Sequence, residues 1–84
     1  MNQIGQAEWT DFIVDKHIVI ATFYKDGNAD CIKMLDIIEK KSSADMKKFG
    51  DVELVKVNVE ENQELAEAQG VESVPAVISI ILSQ

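Results

Sequence analysis

Cys31 is the one cysteine of this 84-residue chain. It stands three residues after Asn28 in the run Asn28-Ala29-Asp30-Cys31, where a hydrophobic stretch gives way to a helical one. A lone thiol can attack a disulfide as the thiolate, giving a mixed disulfide that a thiol from elsewhere must resolve. It cannot close an intramolecular disulfide or complete a cysteine-based metal site, and His17 is the one histidine, so neither a metal nor a cofactor is expected. The start of a helix favours a thiolate. Asp26 and Asp30 flank the site and disfavour a second negative charge, and Lys25 and Lys33 nearly offset them. The plainer reading makes Cys31 a small hydrophobe packed on the first helical turn, with Asn28 as the helix cap. At this point both readings stand.

The elements that must hold this run are legible in the pattern of apolar residues. From His17 to Tyr24 the run HIVIATFY is β-branched and aromatic without alternation, as in a strand covered on both faces. The turn signal Asp26-Gly27-Asn28 follows, and a helix over 29–49 is predicted. Its broad apolar stripe runs through Cys31, Ile32, Met34, Leu35, Ile37, Ile38, Met46 and Phe49. Lys40, Lys41, Lys47 and Lys48 fall late, where the helix dipole favours cations, and Gly50 is the stop. Before the strand, residues 8–14 form a short helix with Trp9, Phe12 and Ile13 on one side. Beyond it, 52–59 reads as a half-exposed strand, 63–69 as a helix turning Leu65 and Ala66 or Ala68 inward, and 76–82 as a last strand after Pro75.

The order strand, helix, strand, helix, strand with a long first crossover predicts a single α/β domain over 1–84 with a parallel strand pair. Stability at ~0.05–0.15 kcal/mol per residue leaves little margin for strain. Fifteen acidic residues against eight lysines and no arginine give a net charge of −7, which argues against nucleic acid and anionic membrane surfaces as partners. No 18-residue apolar run or basic, apolar leader is present, so a cytoplasmic location is the expectation. The acidic run Glu60, Glu61, Glu64, Glu67 reads as a solvated surface, since no calcium-binding motif surrounds it.

Three stretches in this order resemble the thioredoxin family. Phe23-Tyr24 with Asn28 to Cys31 and Lys33-Met34 is similar to that family's strand end, WCGPC motif and helix start. Val55 to Val59 with Glu60-Glu61-Asn62 is similar to its next strand and acidic turn. Leu65-Ala66 through Gly70-Val71-Glu72-Ser73-Val74-Pro75 resembles its helix end and cis-proline loop. The resemblance covers residues 8–82. It implies a minimal thioredoxin-like fold: a three-stranded mixed sheet with central strand 17–24, parallel strand 52–59 and antiparallel strand 76–82. Met1 to Gly5 barely suffices for the family's first strand, and the family's closing hairpin and helix have no counterpart here. Ala76 to Leu82 is then an uncovered edge rich in β-branched residues.

Set against the family pattern, the first cysteine is replaced by Asn28, the preceding tryptophan by Gly27, and the buried acid of the central strand by Thr22. The second cysteine, Cys31, and the proline, Pro75, remain. Disulfide reduction through an internal dithiol is excluded by stoichiometry. The resemblance therefore implies a redox-degenerate domain that binds or assembles proteins, through a peptide groove at Gly27, Asn28, Ala29, Val74 and Pro75 and through self-pairing at the 76–82 edge. The alternative is a monothiol oxidoreductase in which Cys31 is catalytic and forms mixed disulfides with glutathione or a client protein.

Overall fold

The computed structural model describes residues 2–14, 18–45 and 52–81. The expectations on His17, Met46, Lys47, Lys48, Phe49, Gly50 and Leu82 lie outside the described residues. The elements run β1 (Asn2–Gln3), α1 (Gln6–Val14), β2 (Ile18–Tyr24), α2 (Ala29–Asp45), β3 (Val52–Asn58), α3 (Gln63–Ala68) and β4 (Ala76–Ile81). The sheet has the order β1-β3-β2-β4. β1, β3 and β2 are parallel, and β4 runs antiparallel to β2.

The sheet thus has four strands rather than the three expected. β1 is only two residues long, too short to carry a periodicity. It forms because β3 offers it an open parallel edge: Asn2 and Gln3 pair with Val55 and Lys56, and the Ile4 N–H extends the ladder to the Lys56 carbonyl at 3.1 Å. Ile4, only 9% exposed, anchors it in the core.

Strand alternation sends Val19, Ala21 and Phe23 of β2 with Val55 and Val57 of β3 to one face, where Trp9 of α1 and Leu65 and Ala66 of α3 cover them. Trp9 and Phe23 meet with ring centroids 6.0 Å apart and planes tilted by 56°, a favourable aromatic arrangement. Phe12 and Ile13 pack on the margin of this core. The opposite face carries Thr22, Tyr24 and Lys56 beneath α2, whose Cys31 is fully buried. The apolar stripe expected on α2 is narrower than its sequence suggests. Leu35 and Ile38 are half-buried, whereas Ile32 and Ile37 are 60% and 48% exposed, because a single sheet face covers only one sector of the helix. The Lys40–Asp36 ion pair on its outer side, 3.0 Å long, is fully in solvent and adds little.

Two buried asparagines tie the loops together. Asn58, 2% exposed at the end of β3, donates from Nδ2 to Asp26 Oδ2 at 3.1 Å, and its Oδ1 accepts from the Glu60 and Glu61 N–H groups at 2.9 and 3.4 Å. Asn62 donates to the Asn58 carbonyl at 2.9 Å and accepts from the Gln6 N–H at 2.9 Å, closing the start of α1. Gly5 leaves room for this bond, since a Cβ would come within 2.8 Å of Asn62 Oδ1 and push it aside. Replacing Asn58 by Ala removes a buried amide and strips partners from the Glu60 and Glu61 N–H groups and from Asp26. The expected loss is about 1–3 kcal/mol in urea unfolding followed by Trp9 fluorescence. The solvated substitution Lys40→Ala should cost under about 0.5 kcal/mol in the same assay. Equal effects at the two positions would refute the relay's structural role.

Candidate functional site

The register brings three loops to one end of the sheet. Tyr24 closes β2 opposite Asn58 of β3, and Ala76 opens β4 opposite Phe23. Residues 25–28, 59–62 and 71–75 therefore converge where the parallel strands end, the usual place for a site in such a sheet.

The first loop is shaped by Gly27, whose φ of +74° is a left-handed conformation that suits glycine, with open space where a side chain would stand. Asn28 then caps α2: its Oδ1 accepts the Cys31 N–H at 3.0 Å, and its carbonyl accepts the Ile32 N–H at 3.0 Å. Asn28 thus serves the helix directly. Gly27 and Ala29 are exposed and Asn28 is half-buried. Cys31 is 0% exposed, held beneath the first turn by the bond from its own N–H to Asn28. It borders a cavity of about 320 Å³, shared with Tyr24, Gly27, Ile32 and Lys56, without presenting surface to it.

Thr22 is fully buried, and among the described residues its hydroxyl has no hydrogen-bond partner. A carboxylate at that depth would face a large desolvation cost, whereas a hydroxyl carries only a modest one. Nearby, Lys56 Nζ lies 5.7 Å over the Tyr24 ring. Burial first, and then the Asp26 carboxylate, push the Tyr24 phenol above its ordinary value, with the Asn58 side chain pulling the other way. The phenol is therefore neutral at physiological pH.

On the other side, Val74 and Pro75 are half-buried and joined by a cis peptide bond. Val74 lines a cavity of about 110 Å³ with Lys25, Val59, Ala66, Val71 and Ser73, which adjoins a larger hollow of about 280 Å³ through Lys25, Val59 and Ala66. The expected groove residues lie at one end of the sheet, where Gly27 borders the cavity beside Cys31 and Val74 borders the one beside Val59. The residues linking the proline loop to the rest, Val59 and Ala66, were missed. Their signal was available: Val59 follows directly on a parallel strand, where sites gather. Among the described residues no three His, Cys, Asp or Glu side chains come together to hold a metal. No helix among them is long and apolar enough to cross a membrane.

Comparison with known proteins agrees with this architecture. No curated protein sequence matches the chain significantly. Among solved structures, a point mutant of Halobacterium salinarum thioredoxin is 32% identical with a TM-score of 0.77, the match covering 95% of this chain and 67% of that one. Thioredoxins of Plasmodium falciparum and Fasciola hepatica share the fold at 23% and 21% identity, with TM-scores of 0.83 and 0.80. Each match covers 96% of this chain, and 76% and 77% of theirs respectively. The family profile described as Thioredoxin matches residues 1–83. With nearly its full length in that match and the strand order, capped helix and cis-proline loop in place, this chain belongs to the thioredoxin family.

Proposed function

We propose that this domain is a redox-degenerate member of the family that binds extended protein segments non-covalently at the end of the sheet where the three loops meet. The observation that carries the reading is the state of the motif. Asn28 is engaged as a helix cap and Cys31 is without accessible surface, so the thiol is out of reach while the loops around it leave open, partly apolar hollows. Gly27, Asn28, Ala29, Val74 and Pro75 form the central part of the proposed contact surface, and Lys25, Val59 and Ala66 extend it. No cofactor is needed for this role, and a cytoplasmic setting suits a chain with one thiol.

A second contact is proposed at β4. It is an edge strand free of charge from Ala76 to Ile81, with Val77 44% and Ile81 73% exposed. Antiparallel pairing of two copies about Ser79 would set Val77 against Ile81 of the other copy, giving a self-complementary seam. Light scattering across a hundredfold concentration range should return a monomer–dimer equilibrium that Ile81→Lys abolishes. A strict monomer throughout would remove self-association from the proposal.

The monothiol alternative makes a contrary demand on Cys31. With the thiol fully buried, iodoacetamide should modify the native chain at least about a hundredfold more slowly than the urea-unfolded chain between pH 5 and 9, reaction occurring only through opening. Destabilising the cap by Asn28→Ala, at a cost of about 1 kcal/mol, should raise that rate by up to about fivefold where the opening is global. Rapid native modification, comparable to the unfolded rate, would favour the monothiol enzyme over the binding module.

A further inference from the structure

The groove beside the proline loop has a chemical character that the motif alone does not convey. Its floor is apolar: Ala66 is buried, and Val59, Val71 and Val74 are half-buried. Its rim is charged and lopsided. Glu60, Glu67 and Glu72 are exposed around the two adjoining hollows, and Lys25 is the one cation among the residues that line them. Among the described residues none of these three carboxylates is in an ion pair. The backbone N–H of Glu60 is held by Asn58 and α3 carries Glu67, so two of the three acids sit on parts of the chain that are fixed. An apolar channel edged by three unpaired carboxylates favours a ligand that brings apolar side chains to the floor and ammonium or guanidinium groups to the edge.

We infer that the segment this groove takes is an extended stretch of another protein in which aliphatic side chains alternate with lysine or arginine. Alternation follows from geometry: successive side chains of an extended chain point to opposite sides, so one set reaches the valine and alanine floor while the other stays at the rim. This rests on the binding role proposed above and specifies the partner's chemistry. Because the rim charges are exposed, each contact is individually weak and strongly screened by salt. The carboxylates therefore select among segments, while the apolar floor holds them.

The test uses three fluorescein-labelled octapeptides alternating valine with lysine, serine or glutamate, titrated with the full chain in fluorescence anisotropy. At about 20 mM NaCl the lysine peptide should bind about tenfold tighter than the glutamate peptide, with the serine peptide between them, and the gap should shrink to about twofold at 500 mM. Glu67→Lys with Glu72→Lys should invert the order. Asp11→Lys with Asp36→Lys, an equal change of net charge on exposed positions of α1 and α2, should preserve it. Inversion by both pairs would trace the preference to the overall charge, and inversion by neither would show that the rim carboxylates do not set it; either result would overturn the inference. Equal binding of all three peptides would also overturn it while leaving the groove as a binding site. Failure of all three to bind, with the fold intact by circular dichroism, would remove the binding role itself.

Discussion

Asn58 and Asn62 hold together three segments that are remote in sequence. Through them the loop after β2, the turn after β3 and the start of α1 become one hydrogen-bonded unit, spanning from Asp26 to Gln6. A buried amide is costly when unpaired and specific when paired, so the relay either closes fully or works against the fold. Here both ends of both side chains are engaged. The rest of the site depends on that closure. Asp26 fixes the approach to Gly27 and Asn28, Asn28 starts α2, and α2 buries Cys31.

The departures from the family's motif form a consistent set when considered as physical chemistry. A dithiol site needs an exposed nucleophile, a second thiol near it and a buried group to handle a proton. In this chain Asn28 does capping work, the one thiol is fully covered, and the buried Thr22 of β2 holds a hydroxyl with no partner among the described residues. An asparagine at the start of α2 supports the helix better than most residues could, and glycine before it allows the left-handed turn. The scaffold features are in place around a single covered thiol, and the proposed function rests on the loops' shape and charge.

Much of this was legible beforehand. The unbroken apolar run before Tyr24 marked the central strand, and the alternation after Val52 marked its parallel partner, because period and burial are read directly from residue type. Asn28 was legible as a cap from its position before an apolar helical pattern. Other features were not. β1 draws its stability from β3's edge rather than from its own two residues. The relay joins residues 56 and 32 positions apart, and no local pattern encodes such a bond. The exposure of Ile32 and Ile37 depends on how far one sheet face reaches around α2. The channel through Val59 and Ala66 needs two loops in register before it exists.

The central claim is that binding at this end of the sheet is non-covalent and independent of the thiol. The most direct measurement compares the affinity of a cysteine-free extended peptide, the valine–lysine octamer, for the native chain and for Cys31→Ala, each verified as folded. The account predicts affinities equal within about twofold, since Cys31 presents no surface to a ligand. Loss of binding in the variant, or binding only by peptides that carry a cysteine, would contradict it and make the thiol the functional group.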